Sequence, residues 1–183
     1  LAKTEKDPSI CSHISTPSTR DSCYLSISVM KLDERICAEI NQSDTEDLCY
    51  LRVGYAKKDK SICEKIDDMK TKSNCYYSFA FTYDDIDTCN LIPDMKIRDS
   101  CYLSFARIRG EFMICEEIKD LKTKDSCYSM LAIMKKYSPF CDMIIDSDTR
   151  DACYLSLARI KNYPSLCGEI SDQKKRESCY LNI

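Results

Sequence analysis

The sequence is poor in the residues from which most catalytic and metal-binding motifs are built. Its 183 residues include no tryptophan, three glycines, five prolines and a single histidine, His13. It contains no glycine-rich phosphate loop, no nucleophile elbow and no histidine cluster. No C-x-x-C pair is present either, which argues against zinc, haem and iron–sulfur sites. The sequence therefore predicts a non-enzymatic protein with no cofactor and no metal.

The charge pattern and the absence of long apolar runs bear on the partners of the chain. Lysine and arginine number 27 and the acidic residues 30, which gives a net charge of -3. The basic residues do not form a stripe, so we expect no nucleic-acid partner. No apolar run approaches the length of a membrane span, so no transmembrane segment is expected.

Cysteine, by contrast, is abundant and regularly spaced. The steps between the 14 cysteines alternate between 12 and 14 residues, so the sequence has a period of 26 residues and seven repeats. The second cysteine of every repeat is followed by tyrosine, within phrases such as DSCYLSFARI and DACYLSLARI. Self-similarity at a fixed period is typical of repeat arrays.

Each repeat has the pattern of two helices. The first carries apolar residues at helical spacing around its cysteine, as in Ile62, Cys63 and Ile66, and should span about eight residues. The second, of about fourteen residues, carries an apolar stripe that begins at its cysteine and tyrosine. Aspartates precede these helices at N-cap positions: Asp7, Asp33, Asp59 and Asp85 for the first helix, and Asp68, Asp94, Asp120, Asp146 and Asp172 for the second. We predict an all-α fold, an α-solenoid of seven 26-residue helix-turn-helix repeats that form a single array over residues 1–183.

The cysteines are predicted to form one disulfide inside each helix pair. In a hairpin, residues equally far from the turn face each other, and the turn near Thr16–Pro17 lies about midway between Cys11 and Cys23. Pairing across the 14-residue steps would offset the sulfurs by several ångströms, which disulfide geometry does not tolerate. The predicted bridges join the cysteines two by two: Cys11–Cys23, Cys37–Cys49, Cys63–Cys75, Cys89–Cys101, Cys115–Cys127, Cys141–Cys153 and Cys167–Cys179. Seven disulfides indicate an oxidising location, so we expect a secreted protein, extracellular or at the cell surface.

Two other features of the repeat have an expected role. The repeated tyrosines should pack between adjacent hairpins, each hydroxyl reaching a partner at the rim; a ligand-binding aromatic ladder is the alternative. Asn41 opens an Asn-Gln-Ser triplet at a turn between helices, which makes it a candidate N-glycosylation site.

The chain begins and ends midway through the second helix of the repeat. Leu1 and Ala2 at one end, and Tyr180, Leu181 and Ile183 at the other, form a candidate head-to-tail junction between molecules. A window cut from a longer repeat protein, or ends that tolerate exposure, would also explain this phase. We expect a structural subunit that self-associates into an extracellular filament or surface structure. The alternative is a monomeric scaffold whose concave face binds a protein, peptide or glycan, which a contiguous, non-repeating patch on one face would favour.

The architecture resembles that of tetratricopeptide-type repeat proteins. In its stapled form it is similar to secreted, cysteine-rich bacterial proteins of that superfamily, in which one disulfide ties each helix pair. The resemblance covers the whole chain as architecture only, and no functional residue is carried over from it. It implies an extracellular interaction or scaffold role.

Overall fold

In the computed structural model of the chain, residues 7–183 are described. Every regular element in this range is a helix, and the range contains no strand. The predicted all-α architecture of helix-turn-helix repeats is thereby confirmed. Leu1 and Ala2 of the predicted junction lie outside the described residues.

Each repeat consists of a short helix followed by a long one, at the predicted positions. The long helices are Pro17–Lys31, Ser43–Lys57, Met69–Thr82, Met95–Arg109, Leu121–Lys135, Ser147–Lys161 and Gln173–Leu181. The short helices are Pro8–His13, Glu34–Glu39, Lys60–Lys65, Ile86–Leu91, Met113–Glu116, Pro139–Asp142 and Pro164–Glu169.

The short helices are shorter than the eight residues predicted. Five are six-residue 3₁₀-helices and two are four-residue α-helices. In the first four repeats the aspartate four residues before the cysteine has non-helical backbone, and so does the isoleucine three residues after it, as at Asp59 and Ile66. The six residues between them form the 3₁₀-helix, a conformation that proteins use in short segments.

The predicted aspartate caps are largely confirmed. Asp59 accepts a hydrogen bond from the Ser61 N–H at 3.0 Å, and Asp146 accepts one from the Thr149 N–H at 2.8 Å. The same bond is made by Asp7, Asp33, Asp68, Asp120 and Asp172. Asp85 differs, because its side chain accepts from the Lys60 ammonium at 2.6 Å and from the Thr88 hydroxyl at 2.8 Å.

A left-handed residue reverses the chain after the long helix in the first six repeats. These residues are Leu32, Lys58, Asp84, Gly110, Lys136 and Asn162. The next N–H bonds back into the helix, as Tyr137 N–H does to the Ala132 carbonyl at 2.9 Å, which satisfies one of the last carbonyls. The reversal places the start of each short helix beside the end of the preceding long helix.

The disulfides lie inside the helix pairs, as predicted. Six bridges have Cα–Cα distances of 5.6 to 5.8 Å: Cys11–Cys23, Cys37–Cys49, Cys63–Cys75, Cys115–Cys127, Cys141–Cys153 and Cys167–Cys179. Cys89 and Cys101 are also disulfide-bonded, and the described residues include no free cysteine.

The helices cluster into two compact units, one that ends at Asp94 and one from Met95 to Ile183. In each, the core is formed by the cystines, the isoleucines of the short helices and the apolar stripe of the long helices. Consecutive long helices pack side by side within each unit. Gly54, five residues after Cys49 in the apolar stripe, faces the next short helix. A Cβ added to Gly54 would lie 3.5 Å from the Ile62 Cβ.

Candidate functional site: an aromatic and basic edge

The repeated tyrosines serve the fold. Their rings are buried in the first six repeats, with exposed fractions of 1–7%. The Tyr76 hydroxyl donates to the Glu64 carboxylate of its own hairpin at 2.6 Å, and the equivalent bonds join Tyr128 to Glu116 and Tyr154 to Asp142. Burial and this hydrogen bond raise the tyrosine pKa. Because ring and hydroxyl are used within the fold, these tyrosines are not available as a ligand-binding ladder.

A buried aspartate two residues before the second cysteine links each repeat to the next. The Asp151 carboxylate accepts the backbone N–H groups of Ser171 and Asp172 at 2.8 and 2.9 Å, and so holds the start of the following long helix. Asp21, Asp47, Asp99 and Asp125 make the same pair of bonds, while in the third repeat Ser73 accepts one N–H, from Asp94. This role was not predicted from the sequence, although the aspartate is the first residue of the recurring phrase DSCYLSFARI.

Three of the residues predicted to lie at the surface, Asn41, Tyr180 and Leu181, are exposed, and Ile183 is half-buried. Asn41 lies at the turn before the long helix of the second repeat, where only its backbone N–H contacts Asp21, at 3.4 Å. Leu181 is 84% exposed and Tyr180 52% exposed, whereas the tyrosines at the same repeat position in the first six repeats are buried. His13 is also exposed.

The most distinctive surface lies where the short helices of the second unit begin. In the first four repeats the residue four positions before the first cysteine is aspartate, which caps the helix in the first three, but in the last two it is Tyr137 and Tyr163. These tyrosines are 51% and 53% exposed, and neither helix start has a side-chain cap. Loss of a cap costs a helix about 1 kcal/mol. Such departures from a local rule without structural gain are expected at functional sites.

Four side chains at these helix starts form what we call the aromatic edge: Phe112, Tyr137, Phe140 and Tyr163. The Phe112 and Phe140 rings lie 5.4 Å apart, centre to centre, across two consecutive repeats. Tyr137 and Phe140 meet edge to face at 5.0 Å. Tyr163 occupies the position of Tyr137 one repeat further on, with the Lys161 ammonium 5.8 Å from its ring centre. Phe112, Phe140 and Tyr137 are thus in contact with one another, and the first unit has no aromatic residue at these repeat positions.

The charge of this edge also differs between the two units. Near the aromatic edge, the ends of the long helices carry six cations: Arg107, Arg109, Lys135, Lys136, Arg159 and Lys161. Glu111 is the acidic residue among them. In the first unit the same region is mixed and internally paired: Arg35–Asp33 at 2.8 Å, Lys57–Glu34 at 2.7 Å and Lys60–Asp85 at 2.6 Å. The paired guanidinium of Arg35 lowers the Asp33 pKa to about 2.

Four of the six cations near the aromatic edge form no ion pair with another described residue. Among residues 7–183, no ion pair neutralises Lys135, Lys136, Arg159 or Lys161. Arg107 instead donates to the Met130 sulfur at 3.4 Å, and the Arg109 guanidinium lies over the Phe105 ring at 4.9 Å. The edge therefore combines exposed rings with a local excess of positive charge.

Other kinds of site are not found in the described part of the chain. Residues 7–183 contain no group of three histidine, cysteine or acidic side chains that could hold a metal ion. None of their helices is long and apolar enough to cross a membrane.

The chain was compared with known proteins at the level of sequence and of structure. No protein-family model, no curated protein and no solved structure matches it.

Proposed function

We propose that this protein is a non-enzymatic extracellular binding scaffold, in which disulfide-stapled helical repeats hold the aromatic edge rigidly against a partner protein. The observation that carries the proposal is the contiguous cluster of Phe112, Tyr137 and Phe140, which lies at helix starts where the first unit has no aromatic residue. Contiguous exposed apolar patches mark interaction sites, and aromatic side chains dominate binding energy at such sites. The disulfides support an extracellular location, since they persist in oxidising compartments.

Rigidity is the contribution of the repeats to this function. The cystines, the tyrosine–carboxylate bonds and the buried aspartates fix each hairpin internally and to its neighbour. A surface that is ordered before binding loses less conformational entropy when the partner arrives. The edge can therefore bind without a folding step of its own.

The experiment is a selection of random displayed peptides on the purified, oxidised protein. We expect peptides that bind the intact chain and are lost with the Tyr137→Ser/Phe140→Ser double variant. The matched control is Tyr77→Ser/Phe81→Ser, which removes the same residue types from an aromatic pair at 4.8 Å in the first unit and should keep binding. Circular dichroism checks that both variants remain helical. If no peptide is enriched, or if the edge variant binds as well as the intact chain, the scaffold proposal fails.

Head-to-tail self-association is a second candidate function. It is supported by the exposure of Tyr180 and Leu181, since the equivalent tyrosines of the first six repeats are buried. If this face binds the start of another molecule, Leu181→Asp should abolish growth of particles in light scattering at high concentration while leaving the helical content unchanged. An intact chain that stays monomeric under these conditions would exclude this candidate.

A further inference from the structure

We propose that the aromatic edge binds an acidic, apolar segment of another protein. This inference rests on the proposed scaffold function and identifies the class of its partner. It follows from the charge and from the composition of the surface around the rings.

The charge of the surface selects an anionic partner. Six cations and one acid stand on the three turns that carry the aromatic edge, and Lys135, Lys136, Arg159 and Lys161 form no ion pair within residues 7–183. The four cations without an ion pair attract acidic groups and repel basic ones. The chain as a whole carries a net charge of -3, so this edge is a local reversal of the overall sign.

The apolar residues around the rings favour a protein over a glycan or a nucleic acid. Ile108, Met134 and Ile160 occupy the same repeat position in the last turns of three consecutive long helices, and all are exposed. Protein interfaces are enriched in aromatic residues, methionine and arginine, which is the composition found here. A polyanionic glycan or a single-stranded nucleic acid would use the cations and rings, but it would leave the aliphatic side chains unused.

The probe is a synthetic peptide in which glutamates alternate with leucine and phenylalanine, labelled for fluorescence anisotropy. The control peptide has the same apolar residues with every glutamate replaced by lysine. Heparin and oligothymidylate are tested alongside. We expect the acidic peptide to bind, and its affinity to fall as the salt concentration rises from about 0.05 M to about 0.5 M, because salt screens exposed charges. The basic peptide should not bind.

Two double lysine variants test whether the peptide binds at the aromatic edge. Lys135→Gln/Lys136→Gln should lower the affinity for the acidic peptide about tenfold, given the typical energy of two exposed charge pairs. Lys57→Gln/Lys58→Gln removes two cations from the same repeat positions in the first unit and should change binding less than twofold.

The outcomes separate this inference from the function on which it rests. If displayed peptides bind the aromatic edge but carry neutral or basic sequences, the scaffold function stands and the acidic partner is wrong. Heparin or oligothymidylate that binds more tightly than the acidic peptide, or equal effects of the two lysine pairs, would also overturn the inference. If no peptide binds at all, it is the scaffold function that fails.

Discussion

At the scale of single residues, backbone conformation determines what the rare glycines do. Gly110 has a φ of +67° and occupies the left-handed position that ends the long helix of the fourth repeat. Five other repeats place a non-glycine residue there, as with Lys136 and Asn162. In those repeats the repeat geometry enforces a conformation that L-residues adopt at a cost of about 1 kcal/mol.

We predict that Gly110→Ala lowers the free energy of unfolding by about 1 kcal/mol, because alanine resists the left-handed conformation. The added Cβ would also lie 2.7 Å from the end of the Lys135 side chain, which is flexible and can move away. Urea denaturation of the oxidised protein measures the change.

Gly168→Ala provides the control in the same unit. Its φ is not left-handed, and the added Cβ would lie 3.4 Å from the Tyr180 hydroxyl, an ordinary van der Waals contact. This variant should be neutral or more stable by about 0.5 kcal/mol, since alanine reduces the entropy of the unfolded chain. Equal losses for both variants would show that space, not backbone conformation, limits these positions.

At the scale of helices, the sequence was sufficient to predict the structure inside each repeat and insufficient to predict the contacts between repeats. The hairpins, the caps and the cystines follow from periodic signals such as the alternating cysteine steps. The aspartate contacts that join consecutive repeats were not predicted, because their partners are 20 or 21 positions away in the sequence and leave no local pattern. In the sequence alone, Asp151 looks like an ordinary polar residue of a helix. The aromatic edge could have been found from one signal, the replacement of the capping aspartate by Tyr137 and Tyr163.

The contact between repeats makes a testable prediction about stability and pH. Asp151→Asn should lower the free energy of unfolding by about 1–3 kcal/mol at pH 7, because asparagine offers one acceptor oxygen where the carboxylate accepts two N–H groups. Burial raises the pKa of Asp151, but the N–H groups of Ser171 and Asp172 lower it by more, so its pKa lies below the ordinary value. The stabilisation by this carboxylate is thus fully present above about pH 4 and is lost as the pH falls through the lowered pKa.

The difference between the intact chain and Asp151→Asn should therefore shrink in acid. Urea denaturation at pH 7 and near pH 2 gives the two values. Asp148→Asn is the control on the same helix: its carboxylate bonds Lys175 at 2.7 Å but is 83% exposed, so its loss should cost less than about 0.5 kcal/mol. A penalty for Asp151→Asn that does not depend on pH would mean that the carboxylate charge is not what holds the next helix.

At the scale of the whole molecule, the fold is a set of local interactions. Each bridge joins cysteines 12 residues apart, and each buried aspartate reaches only the following repeat. Stability in such an array is approximately a sum of terms within repeats and between neighbours. The same locality holds for the two compact units, since residues 7–94 and 95–183 each have their own core.

Locality predicts what removal of one disulfide does. Cys63→Ser/Cys75→Ser should lower the stability of the first unit by about 2–4 kcal/mol, because the unfolded hairpin gains conformational freedom. The Tyr76–Glu64 hydrogen bond and the N–H bonds to Asp47 remain, so the third repeat should loosen without changing its neighbours' hairpins. Hydrogen exchange, resolved by peptide, should show faster exchange around residues 60–82 and unchanged protection in the second unit.

The reciprocal variant makes the test symmetric. Cys167→Ser/Cys179→Ser removes the bridge of the seventh repeat and should raise exchange near the end of the second unit while the first keeps its protection. This loss should also be the more severe, because the long helix of that repeat, Gln173–Leu181, has nine residues and its tyrosine is half exposed. A nine-residue helix is too short to be stable alone in water, so its stability depends more strongly on the disulfide. Uniform loss of protection across both units, from either variant, would show that the array unfolds as one cooperative body and that the local account is wrong.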